Sequence, residues 1–187
     1  MALFPLGILS AAGAGGGAVG DFELIETQIL GSNQASITFS NLGNFSSTYK
    51  HLQIRAASKS NHAAVWEVGR ISVNGDFAGN YSAHNLFGSG SSVGSNADVN
   101  GSSGYFSTSG ATTANDFGAQ VIDFLDAYSS TKNKTFRALS GSIASSEIRL
   151  SSGAWRNTTG ITSITLWTLA GTAWLTGSRF SIYGIRG

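Results

Sequence analysis

The chain has 187 residues, a length that suits one domain, with 41% hydrophobic but only 11% charged residues. Its net charge is +1 and no dense Lys/Arg cluster is present, Lys132 and Lys134 being an isolated pair, so an electrostatic case for nucleic acid is absent. There is no cysteine, which excludes disulfides, Cys-based zinc sites and thiol chemistry.

Residues 1–20, MALFPLGILSAAGAGGGAVG, carry no charge. The positively charged region of a signal peptide is missing, and Pro5 and Gly7 interrupt the apolar run. A membrane span needs about 20 apolar residues able to form a helix. Glycine fills the second half here, so no membrane span is expected. Gly15, Gly17 and Gly20 fit G-x-G-x-x-G, but the strand before and the helix after that a dinucleotide site requires are both missing. Glycine loses more backbone entropy on ordering than any other residue. Leu3, Phe4, Leu6, Ile8 and Leu9 supply the compensating burial, roughly 1.5–3 kcal/mol for each side chain fully buried. The expectation is an extended N-terminal arm that anchors the chain to another subunit.

From Asp21 the texture changes to short alternating runs. FELIETQIL, QASITFS, KHLQIRAA, VGRISVNG, SAHNLFG, FGAQVIDFLD, KTFRALSG, SEIRLSSG, GITSITLWTL and SRFSIYGIRG all read as strands. Asn74-Gly75 is a hairpin signal, since both residues tolerate positive φ. Between Gly88 and Asp116 lies a Gly/Ser/Asn-rich stretch with few large apolar anchors, expected to be an exposed excursion with a short strand near Gly104–Ser107. Its Tyr105 and Phe106 are the candidate surface contacts. The expected architecture is all-β: an antiparallel sandwich or jelly roll over residues 21–187, with about nine or ten strands and no helix of length.

Chemistry-bearing clusters are sparse. His51, His62 and His84 lack metal-ligand spacing, and His51 alternates with Gln53 and Arg55 as on a solvated strand face. Asp123 and Asp126 fall on opposite faces of a strand unless a turn intervenes. Asp76 follows the Asn-Gly turn, where Asp is favoured for local hydrogen bonds. A regular calcium loop and a G-x-S-x-G elbow are both missing. Trp66, Trp155, Trp167, Trp174 and Tyr81 are expected mainly in the core or at subunit contacts rather than on a sugar-stacking platform. No enzyme activity and no cofactor is expected.

Several phrases in order, ELIETQILGSNQASITFS, TYKHLQIRAASKS, VNGDFAGNYSAHNLFGSGSSVGS, VIDFLDAYSSTKNKTFRALSG, SSGAWRNTTGITSITL and GSRFSIYGIRG, resemble a group of small tailed-bacteriophage virion proteins. The resemblance covers roughly Phe22 to Gly187 and rests on turns and strands. It implies a structural protein in the virion, of the capsid decoration or cement kind, packed against a major capsid or tail protein, and a homo-oligomer, specifically a trimer. The competing expectation is a tail-fibre or tail-tip module that binds host surface glycan.

Overall fold

The computed structural model describes residues 21–111 and 115–187. The expected arm and its five anchoring residues lie outside the described residues. Twelve strands follow in order: β1 (Phe22–Ile29), β2 (Ser36–Phe39), β3 (His51–Ser58), β4 (Trp66–Val73), β5 (Tyr81–Ser89), β6 (Ser92–Gly101), β7 (Gly104–Ser109), β8 (Gly118–Leu125), β9 (Lys134–Ser142), β10 (Glu147–Trp155), β11 (Ile164–Thr168) and β12 (Arg179–Ile185). A single 3₁₀ turn, Leu42–Phe45, is the only helical element among the described residues.

The strands form two antiparallel sheets. One has eight strands in the order β1-β12-β3-β8-β9-β10-β5-β6, the other four in the order β2-β11-β4-β7. One core joins them: Leu52, Ile54, Ile122, Phe124 and Ile182 from the larger sheet meet Phe39, Ile71, Phe106, Ile164 and Leu166 from the smaller. All-β sandwich architecture is therefore as expected from the period-two runs. Setting aside the pairs β5–β6 and β9–β10 leaves two four-strand orders, β1-β12-β3-β8 and β2-β11-β4-β7. In this frame the chain changes sheet at every connection, β1 to β2, β2 to β3, β3 to β4, β7 to β8, β8 to β11 and β11 to β12, except β4 to β7.

The two extra pairs continue the larger sheet past β8. They curl around β7, whose second face they cover: Ser107 Oγ donates to Glu147 and Ser107 N to Ser140 Oγ, while the Ser109 and Ser142 hydroxyls bond each other. The Gly/Ser/Asn-rich stretch thus corrects an expectation. It is not a loop excursion but the end of β5, all of β6 and β7, with a turn at Gly90 in the left-handed region (φ 69°). Backbone pairing builds an edge strand here whose few apolar side chains, Val93, Ala97 and Val99, share one parity but lie exposed.

Asn74 and Gly75 do take positive φ, 54° and 68°. The turn is not a hairpin, however, because β4 and β5 belong to different sheets. The Asn74 side chain instead ties the corner to the β10–β11 connection, accepting from Thr162 N and Ser163 N and donating to Gly160 O. Next to it, Asp76 accepts hydrogen bonds from Trp155 Nε1 (2.7 Å), Asn80 Nδ2 (2.8 Å) and Ala78 N (2.8 Å). The hydroxyl of buried Tyr81 accepts from Val73 N and donates to Asp76 O. This cluster fastens the change of sheet.

Candidate functional site

The inserted strands break the usual alternation. In a sandwich, apolar side chains point inward and polar ones outward. In β10 the order is reversed: Glu147, Arg149 and Ser151 are buried, while Ile148 and Leu150 are 60% and 47% exposed. β5 does the same at Asn85 (buried) and Leu86 (59% exposed).

Register then assembles the outward side chains into rows. Val121 (β8), Leu139 (β9), Leu150 (β10) and Leu86 (β5) are direct cross-strand partners in turn. One step along the strands, Ala119, Gly141, Ile148, Gly88 and Val93 form a second row. On the other side runs a polar row, Asp123, Arg137, Ser152 and His84, in which Arg137 Nε donates to Asp123 at 2.9 Å. The result is an apolar strip bordered by a self-paired charge row. Shallow hollows of 310 and 440 Å³ lie on either side of the Leu139–Leu150–Leu86 ridge. Strand spacing makes the strip about 20 Å across the strands and roughly 10 Å along them, on the order of 200 Å² before side-chain relief. The rows are contiguous, which sets them apart from a scatter of single surface leucines.

The sequence-nominated contacts separate. Phe106 is fully buried and faces the core over Gly69, where it stacks on Trp174 with ring centroids 6.0 Å apart. It is a packing residue, which corrects its reading as a surface contact: β7 alternates about a strand axis, so neighbours 105 and 106 point to opposite faces. Tyr105 points the other way, half-buried, under the Arg70 guanidinium (4.2 Å to the ring centroid) with its hydroxyl on Asp98. Burial is the main cause holding the Arg70 guanidinium below its ordinary range.

The remaining candidates have local roles. His51 Nδ1 accepts the Asp126 N–H at 2.9 Å, so it closes a turn rather than standing free on a solvated face. Asp126 sits in that turn with φ 49° and pairs with Lys132 at 2.6 Å, whereas Asp123 pairs with Arg137 and Gln53; the two carboxylates share nothing. The hydrogen bond and charge of Lys132 hold the Asp126 carboxyl below its usual value. Trp155, Trp174 and Tyr81 are core residues, and Trp66 is 38% exposed. Among the described residues no three His, Cys, Asp or Glu side chains converge as a metal site, and no helix is long and apolar enough to cross a membrane. Sequence reading missed the apolar strip. Its signal was the string EIRLSS, whose alternation marks a strand but does not say which parity is buried.

Comparison with protein-family models, curated proteins and solved structures gives no significant match to this chain.

Proposed function

We propose that the chain is a non-enzymatic structural protein of a tailed-phage virion, of the capsid decoration or cement kind, which packs as a homo-oligomer through the outer face of its eight-stranded sheet. The reversed alternation of β10 and β5 carries this reading. Putting Ile148, Leu150 and Leu86 in water and Arg149 and Asn85 inside is unfavourable for an isolated sandwich. Covering the strip with protein turns that cost into burial. The strip has little net charge, since Arg137 and Asp123 at its border satisfy each other, and the whole chain carries only +1. A second copy of the same neutral surface suits it better than a charged partner does. The resemblance of several phrases to phage virion proteins favours a threefold arrangement, with Leu3, Phe4, Leu6, Ile8 and Leu9 as the anchor to a neighbouring capsid or tail protein.

We further read the four-plus-four frame as a jelly roll with two inserted hairpins. Viral shell proteins and lectins both use that fold. This support is fold-level analogy.

The test compares the full chain with Leu150→Glu and with a chain lacking residues 1–20. Sedimentation of the full chain as an oligomer, and of Leu150→Glu as a folded monomer, supports the packing face. A monomeric full chain at micromolar concentration refutes it. Unchanged particle occupancy after removal of residues 1–20 refutes the anchor. The tail-tip reading draws on a different feature, the polar cleft beneath β5 and β6.

A further inference from the structure

The same reversal that puts leucines outside puts a set of polar side chains inside, and they do not close on one another. Beyond β7, the inner face of β10, β5 and β6 leans over the outer face of β4, leaving a cleft of 320 Å³. Arg149 forms its floor. This side chain is only 6% exposed, its Nε donates to Glu147 Oε1 at 3.0 Å, and its guanidinium lies 5.3 Å from the Trp66 ring centroid and 4.9 Å from that of Phe87. Its terminal nitrogens have no hydrogen-bond acceptor among the described residues. Arg70 enters from the opposite wall with one nitrogen on Ser103 Oγ and the others unspent. Asn85 Nδ2 donates to Asn96 Oδ1, and Ser151 Oγ donates to Asn85 Oδ1. The amide oxygens are thereby occupied, while the Asn96 amide N–H groups remain.

Unspent guanidinium and amide donors thus face the cleft, with the Asp98 carboxylate as its acceptor. A guanidinium fork held rigid by a carboxylate and two rings, with its open side on a cavity, is the arrangement that binds a carboxylate in two-point fashion. A purely structural arginine this deeply buried would have its fork paired within the fold. Asp98 and Glu147 stand beside the two arginines, so the local charge is balanced and a dianion such as phosphate is disfavoured against a monoanion. Asp98 and Tyr105 are set to meet hydroxyls, and Val68 and Leu169 offer an apolar wall for a C–H face. We infer that the cleft between β4 and the β5–β6 hairpin binds an acidic saccharide, with the sugar carboxylate on Arg149 and Arg70 and its hydroxyls on Asp98, Tyr105 and Asn96. This inference does not depend on the packing role of the outer face.

The experiment titrates the full chain with pairs of oligosaccharides, each ending in a uronic or nonulosonic acid or in its neutral counterpart. Trp66 fluorescence and amide NMR shifts report on the cleft. The acidic member should bind saturably and at least ten-fold more tightly, with shifts confined to β4, β5, β6 and β10. Arg70→Gln, in a partly exposed position, should weaken binding ten-fold or more with an unchanged circular dichroism spectrum. Arg149→Lys should do the same, because an ammonium keeps the charge but loses the fork. Equal affinity for acidic and neutral sugars, binding indifferent to Arg70→Gln, or shifts centred elsewhere would overturn the inference. A glutamate-terminated peptide that binds when no saccharide does would overturn the ligand class.

Discussion

Replacing Asp76 with alanine tests the corner that fastens the two sheets. Three donors lose their acceptor: Trp155 Nε1, Asn80 Nδ2 and Ala78 N. Asn80 and Ala78 lie near the surface and regain water, so each costs about 0.5–1 kcal/mol net. Trp155 is 2% exposed, and an indole N–H stranded there costs about 1–3 kcal/mol. The sum is about 3 kcal/mol, a large share of the ~5–15 kcal/mol that holds a domain folded. Urea unfolding followed by tryptophan fluorescence measures it. Asp76→Asn keeps one acceptor oxygen and should lose about half as much. In a double-mutant cycle, Trp155→Phe should make Asp76→Ala cheaper by at least 1 kcal/mol, because the stranded donor is then gone. A loss below about 1 kcal/mol for Asp76→Ala, or strict additivity in the cycle, would refute the account. The corner also has a pH signature. Burial pushes the Asp76 carboxyl up, but hydrogen bonds from Trp155, Asn80 and the Ala78 backbone outweigh it and leave the carboxyl below its ordinary 3.8. A depressed carboxyl stabilises the fold above its unfolded pKa, and that contribution is lost as pH falls through the lower folded value. Acid unfolding of the wild type below about pH 4 should therefore be steeper than that of Asp76→Asn.

Other outcomes follow from single contacts. A methyl group at Gly69 would lie 2.2–2.5 Å from atoms of the Phe106 ring, so Gly69→Ala should cost about 1–3 kcal/mol by overpacking, seen as a lower urea midpoint. Burial raises the Tyr81 and Tyr128 hydroxyls to about 12. Such groups stabilise the fold fully below the unfolded value of 10.0, and the contribution disappears as pH climbs towards 12, so the Tyr128→Phe chain should unfold less steeply in that window. Leu150→Glu, on the exposed strip, should shift monomer stability by no more than about 1 kcal/mol while abolishing self-association in sedimentation.

Much of the fold was legible because its physics is local. Leu52 with Ile54, and Ile164 with Leu166, repeat every second residue and do face the core. β6 was illegible for the same reason. In SVGSNADVNG only Val93, Ala97 and Val99 mark one parity, unevenly spaced among Ser, Gly and Asn and all exposed, so it is backbone pairing to β5 that defines the strand. The Asn74-Gly75 turn was visible, but its partner strands were not, since pairing is decided by contacts across the chain. The candidate surfaces were the least visible part. Tyr105 was found from its place in a polar stretch, yet Arg149, Arg70 and the leucine rows become a site only through cross-strand register, which periodicity cannot supply.

The reversed strand has a consequence for how this chain reaches its native state. Sliding β10 by one position against β9 and β5 would turn Ile148 and Leu150 inward and Arg149 outward, an arrangement that hydrophobic collapse alone would choose. The native alignment is chosen against that pull by directional bonds between strands, Ser107 to Glu147 and Ser151 to Asn85. The second joins β10 to β5, and the first needs β7 already in place. Until β7 is in place, the Ser107–Glu147 bond cannot hold β10 to its native register. A β10 paired before β7 is seated would keep Ile148 and Leu150 inside and Arg149 outside.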